Sequence, residues 1–268
     1  MYHAACYASR PMSVLRHFKH AVLLSLSVGC AEPGTGAIST GNRAARAGHY
    51  DEAVVAFEQA CAQAPTLARA HALRGNALWA AEKKAEALAA WTQALKLDPT
   101  QVDAALGLAR NELQTGATGA AIDRLTAALV KAPGRSDLRT ARVLAWVSRN
   151  AEGDLGKANE DSELAYRAAP KDPDVLYTRG SVLIAAHRFD EAQSTLDALE
   201  RASPHSSLAS YGLARLAAAQ SRRTDVMLHL RAARAAAGSQ WQSAAVVSDP
   251  AFAFLKDDPD FVREVSGR

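Results

Sequence analysis

Small and large apolar residues return at a fixed stride along most of this chain. Gly41-Asn42, Gly75-Asn76 and Ala109-Arg110 stand about 34 positions apart, the period of a helix–turn–helix repeat. The register holds further down each unit. Ala53, Ala87 and Ala121 coincide, as do Phe57, Trp91 and Leu125, then Ala60, Ala94 and Ala128, and last Pro65, Pro99 and Pro133. Each unit therefore predicts two helices. The small residues let the two backbones approach closely, and a larger side chain there would overpack by about 1–3 kcal/mol. The bulky residue four places after the alanine fills the space toward the next pair. Proline, lacking an N–H and disfavouring helix before it, ends the second helix. Gly48 and Gly116 supply the turn inside the pair.

The blocks HYDEAVVAFEQACAQAP (49–65) and KAEALAAWTQALKLDP (84–99) show the pattern most clearly. They resemble the tetratricopeptide repeat. Later units are looser. The fourth opens near Ser136, has Trp146 in its first helix, and carries about three extra residues around Asn150–Lys157. It regains register at Ala158, Ala165 and Pro170. The fifth has Gly180, Phe189, Asp190-Glu191-Ala192, Leu196 and Pro204. The sixth, from Ser207, has Ala214 and Leu230 but Val226 in place of the small alanine and Gly238 in place of proline. The reading is an all-α, right-handed superhelical solenoid of about six hairpins over 37–238, with a helical cap over 239–268. In that cap, two segments opened by Asp-Pro place Phe252, Phe254, Leu255 and Phe261 at helical spacing.

Composition agrees with thin, closely packed helices. The chain is 49% apolar but only 6% aromatic, with alanine the favoured apolar residue. The formal net charge of +3 does not mark a nucleic-acid binder. Residues 1–29 hold Arg10, Arg16 and Lys19 and no acidic residue. Setting those three of the 31 basic residues aside leaves the rest balanced against 28 acidic ones. No basic stripe with interleaved aromatics remains to track a phosphate backbone.

The leader has the shape of an export signal. From Met12 it reads MSVLRHFKH, then the short apolar run AVLLSLSVG, then Cys30, and translation starting at Met12 fits this better than Met1. The apolar run is too short to span a bilayer, which takes roughly 20 residues. Leu26-Ser27-Val28-Gly29-Cys30 resembles a bacterial lipobox, with Ser27 where leucine is usual, so Cys30 is the expected lipidation site. Ordinary cleavage after Ala31 and an uncleaved N-terminal helix are the alternatives. Residues 1–30 are thus read as leader and 31–36 as tether. The protein is placed on the periplasmic side of the envelope, lipid-anchored or otherwise soluble and exported. Cys61 is then left without an internal disulfide partner.

Resemblance to the tetratricopeptide family implies binding on the concave side, at positions two, five, nine, twelve and thirteen of each unit. Those positions hold Asn42, Arg46, Arg69, Asn76, Trp79, Arg110, Gln114, Tyr177, Tyr211 and Arg215. Asn42, Asn76 and Arg110 would form a polar ladder. Trp79 is either an interface anchor on an open face or a side chain packed on a neighbour. The carboxylate clamp of chaperone adaptors is missing, because Ile38, Leu73, Asp103 and Gly107 stand where four of its five residues belong.

Nothing in the sequence gathers catalytic chemistry. Gly36–Gly41 has phosphate-loop spacing, but Asn42-Arg43 follows where Lys-Ser or Lys-Thr is required. The eight histidines are scattered, with no His-Glu-x-x-His or Cys-x-x-Cys, so neither metal nor other cofactor is expected. Asp51-Glu52 and Asp190-Glu191 are adjacent charges at helix starts, where the helix dipole favours them. The expected function is a non-enzymatic interaction scaffold of the bacterial envelope that takes a protein or peptide partner and meets the membrane only through its anchor. The alternative, by resemblance of architecture, is a pilotin-like lipoprotein that assists secretin assembly.

Overall fold

The stride in the sequence is a stride of helix pairs. A computed structural model describes residues 33–266, and among these the only regular structure is helix. The leader and Cys30 lie outside the described residues. Six antiparallel pairs follow one another: α1 (Thr35–Arg46) with α2 (Tyr50–Gln63), α3 (Ala68–Ala80) with α4 (Lys84–Leu97), and α5 (Val102–Gln114) with α6 (Thr118–Lys131). Next come α7 (Ser136–Arg149) with α8 (Asp154–Ala168), α9 (Pro173–Ala185) with α10 (Phe189–Ala202), and α11 (Ser207–Ala219) with α12 (Arg223–Ala237). Helix α1 opens at Thr35 with Gly34 buried beneath it, so Thr35 and Gly36 are helical and not tether as the sequence reading had them.

The turns inside the pairs are built alike whatever residue occupies them. Gly48, Glu82, Gly116, His187 and Ser221 all have φ between 56° and 80°. Glycine takes this left-handed conformation freely, whereas a residue with a Cβ loses roughly 1–2 kcal/mol. Glu82, His187 and Ser221 carry that cost for the sake of the repeat geometry. In pair four the longer connection uses two left-handed residues, Asn150 and Gly153.

One bulky side chain locks each well-formed pair to the next. Trp91 of α4 is 3% exposed and lies between Gly75 of α3 and Gly107 of α5. A Cβ on Gly75 would meet the indole at 2.5 Å, and one on Gly107 at 2.3 Å, far inside van der Waals contact. Leu196 of α10 is clasped in the same way by Gly180 and Gly212, and Phe57 of α2 sits against Gly41. These glycines are therefore packing residues, placed where the neighbouring ring or branched chain needs their empty side.

Consecutive first helices touch one another, α3 with α5, α5 with α7, α7 with α9 and α9 with α11. No two second helices touch to a comparable extent, so the first helices line the inner side of the stack and the second helices splay along the outer. After α12 the chain turns at Gly238 (φ 53°) and lays α13 (Ser243–Ser248), a 3-10 turn over Pro250–Leu255, and α14 (Pro259–Ser266) across the last pair. Phe252, Leu255, Phe261 and Val265 are buried against Ala214, Ala217, Val226 and Leu230. Arg223 clasps Asp258 at 2.6 and 2.9 Å and reaches Asp260 at 2.8 Å. The Trp241 indole N–H donates to the Val265 carbonyl at 2.9 Å. Phe254, grouped in the sequence with the buried phenylalanines, points outward and is 52% exposed. No helix among the described residues is long and apolar enough to cross a membrane.

Candidate functional site

Two adjoining cavities open on the inner face, and Arg110 and Asp137 belong to both. The first, about 350 Å³, lies between α3, α4 and α5 and runs to the start of α7, with Trp79, Trp91 and Gly107 among its lining. Its floor is apolar and its rim charged. Arg135 donates to Asp103 at 2.9 Å and to both oxygens of Asp137 at 2.8 and 2.6 Å. Burial pushes the Asp137 carboxyl upward, but Arg135 and the Leu138 N–H outweigh it and hold the group below the usual carboxylate range. Its carboxylate–guanidinium clasp therefore stays ionised and fixed at neutral pH. The second cavity, about 290 Å³, is more apolar, with Leu113, Ala141, Leu144, Val175 and Tyr177 around it and Asp172 and Asp174 at one edge. Leu144 is 47% exposed, an unusual position for a leucine on an inner helix.

The sequence-derived positions divide into three groups here. Asn76, Trp79, Arg110 and Tyr177 line these two cavities, and Gln114 is exposed near the end of α5. Asn42, Arg46 and Arg69 line a separate cavity at the N-terminal end of the inner face. Tyr211 and Arg215 are engaged by the C-terminal segment. The Tyr211 hydroxyl donates to Asp249 at 2.6 Å, and the Arg215 guanidinium lies 3.4 Å from the same carboxylate. Burial, and then that hydrogen bond, raise the Tyr211 hydroxyl well above the ordinary phenol value. The sequence reading had both on an open groove; the cap uses them as its own latch.

Of the two readings of Trp79, packing on a neighbour holds: its ring stacks on Trp91 with centroids 5.5 Å apart at 37°, and the Lys84 ammonium stands 5.4 Å from its centre. It remains half-buried, with an edge in the first cavity. Asn76 is exposed, yet its side-chain carbonyl accepts from the Trp91 indole N–H at 2.9 Å. That bond orients the indole and satisfies a donor that burial would otherwise strand. The polar ladder is thus interrupted at Asn76, while Arg110 makes no ion pair among the described residues. Sequence reasoning missed Leu113, Leu144, Arg135 and Asp137. An exposed leucine on α7 was the available signal, but the looser fourth unit hid which face it occupied.

These hairpins match known proteins. Two tetratricopeptide repeat family models match residues 72–136 and 150–216. This chain is a tetratricopeptide repeat protein. Its repeats belong to a class that generally builds non-enzymatic scaffolds for protein binding. No curated protein sequence matches the chain. Among solved structures the tetratricopeptide chain is similar to PilF of Pseudomonas aeruginosa, with TM-score 0.62 and 18% identity over 75% of this chain and 90% of that one. It is similar to PilW, described as a widely conserved type IV pilus biogenesis factor, with TM-score 0.64 and 13% identity over 75% and 92%. A thermophilic tetratricopeptide protein of Thermus thermophilus gives TM-score 0.57 and 22% identity over 63% and 91%. At these identities the likeness is one of fold. Among the described residues no cluster of His, Cys, Asp or Glu is arranged to hold a metal ion. Cys61 is half-buried without a disulfide, and burial raises its thiol above the ordinary value, which favours the protonated form.

Proposed function

We propose that the inner face between α3 and α9 holds a segment of a partner protein, so that the repeat stack serves as a binding scaffold. The observation that carries this is the pair of adjoining cavities joined at Arg110. A guanidinium without an ion pair stands there between an aromatic floor at Trp79 and Trp91 and an apolar pocket at Leu144 and Tyr177. Burying apolar side chains in the second cavity would drive association, and the charged rim would fix register. Asn76, Gln114 and the fixed Arg135–Asp137 pair would supply polar contacts at its edges.

The test is site-specific photo-crosslinking in cells. A crosslinking residue at Gln114 should yield a discrete adduct with one partner, and the same residue at exposed Gln93 on α4 should not. The double variant Trp79→Ala, Arg110→Ala should lose that adduct while keeping its helix content. Adducts from Gln93 alone would move the partner to the outer face and end the proposal.

The same proposal sets the scaffold in the bacterial envelope, with Cys30 as lipid anchor. The export-like leader supports this, and a Cys30→Ser variant that still fractionates with membranes would remove the anchor. A pilotin-like role in secretin assembly is the second reading, favoured by likeness to PilF and PilW. Deletion should then abolish secretin multimers, and unchanged multimers would dismiss it.

A further inference from the structure

Most arginines among the described residues, fifteen of twenty, are spoken for by a carboxylate. Ion pairs hold Arg74, Arg124, Arg135, Arg139, Arg142 and Arg149 in the first four pairs, and Arg167 and Arg179 on Glu163. They hold Arg188, Arg215, Arg222, Arg223, Arg231, Arg234 and Arg263 in the rest. Five make no ion pair among the described residues: Arg43, Arg46, Arg69, Arg110 and Arg201. Three of these five line one cavity of about 510 Å³ at the N-terminal end of the inner face. Asn42 and Ser39 stand beside them, Ile38 forms an apolar floor, and no carboxylate takes part.

Three guanidiniums with no ion pair among the described residues share one concavity, which gives it a local positive potential that attracts an anionic ligand. The geometry suits carboxylates. Arg43 and Arg46 project from α1 and Arg69 from the start of α3, so planar donors approach from two helices, and guanidinium pairs well with a carboxylate in a two-pronged fashion. Asn42 and Ser39 add neutral donors between them. We propose that this cavity binds an acidic segment of a partner protein, with adjacent carboxylates seated on Arg43, Arg46 and Arg69. This deepens the groove reading and rests on it. Arg110, the other unpaired arginine of the inner face, lies further along the same side, so one extended segment could pass from the arginine cavity toward the apolar pocket. A flat bilayer could not follow that path into a concave face. Phospholipid headgroups share the charge but not the shape.

The test uses the full chain and a short labelled oligo-glutamate peptide, read by fluorescence anisotropy, with oligo-glutamine as control. Wild type should bind the acidic peptide in a salt-sensitive manner and ignore the neutral one. Replacing Arg43→Glu, Arg46→Glu and Arg69→Glu together should weaken binding by more than about tenfold, while Arg201→Glu on α10 leaves it unchanged. The milder triple replacement by Gln, checked for unchanged circular dichroism, should give the same direction and guards against misfolding. Equal binding by wild type and both triple variants overturns the proposal. So does arginine-dependent sedimentation with phosphatidylglycerol vesicles without peptide binding, which would assign the cavity to a membrane. The Gln114 crosslink separates the two readings. If it survives the triple substitution, the groove stands without the arginine cavity; if it never forms yet the peptide binds, the cavity stands alone.

Discussion

Where pair two sets the Trp91 indole between Gly75 and Gly107, pair four has a small buried hydroxyl, Ser162, at the corresponding position, and buries charge beside it. Asp161, 3% exposed, accepts from Arg142 at 2.7 Å on both oxygens, from Arg139 at 3.3 Å and from the Trp146 indole at 3.3 Å. Asp154, 1% exposed, accepts from Arg149 at 2.6 and 2.9 Å and from the Ala151 N–H at 2.9 Å. Apolar packing is correspondingly thin there, with Val143, Ala158 and Val182 buried and Trp146 alongside. The Trp146 ring is itself flanked by Arg149 and Lys157, each 4.8 Å from its centre. Helix α7, which supplies all three of these arginines, falls, apart from Ser136, between the two stretches that the repeat models match. The contrast teaches that the repeat backbone specifies a volume to be filled, not a chemistry. Pair two is held at its centre by a ring between two glycines, pair four by an aspartate between two arginines. They fail differently. An apolar hub loses area and leaves a cavity when cut, whereas an ionic hub leaves stranded charge when one partner goes.

The sharpest way to break the contrast is to remove each hub. Trp91→Ala should cost about 3–5 kcal/mol, read from urea unfolding, because the space between two glycines cannot collapse. A loss near that of a surface substitution would mean pair two is held elsewhere. Next, Asp161→Ala should cost about 3 kcal/mol by leaving Arg139 and Arg142 without their shared partner. Asp161→Ala combined with Arg139→Leu and Arg142→Leu should recover much of that loss, since the buried charge is gone. Failure to recover would mean that geometry, not uncompensated charge, set the cost.

The smallest effect is one of pH. Arg149 first, with the Ala151 N–H, holds the Asp154 carboxyl down to about 2 against the opposing pull of burial. A depressed folded-state pKa gives stability that is fully present above the unfolded value near 4 and is lost as pH falls toward 2. Amide exchange should therefore rise first in α7 and α8 across that window, with α3 and α4 protected longer. Asp154→Asn should flatten the difference. Simultaneous loss in both pairs would show that the stack unfolds as one unit.

Pair two was legible and pair four only partly, for a physical reason. The recurrence of Gly75 and Trp91 with Gly41 and Phe57 exposes a packing rule that a single sequence can display. An aspartate is ordinarily a surface residue, so nothing in Asp161 alone announces burial; its guanidinium partners come from α7, on the far side of a lengthened turn. That Trp79 could pack on a neighbour was legible, but not that the neighbour is Trp91. Family position places a residue on a face but does not say which neighbour's ring will reach it. Gly48 and Gly116 marked two turns, while Glu82, His187 and Ser221 adopt the same left-handed backbone without the residue that advertises it. Tyr211 and Arg215 were misjudged because the course of the chain after Gly238 obeys no period.

That final course has a consequence for anyone who would lengthen the molecule. Phe252 and Phe261 occupy the surface on α11 and α12 where a seventh hairpin would have to dock, and Asp249 and Asp258 tie them down. New modules can be spliced between existing ones, where each junction already presents a complementary seam, but grafting one after Ala237 would first require prising off a lid. Enlargement of this scaffold at its C-terminal end is thereby closed off unless the lid is removed.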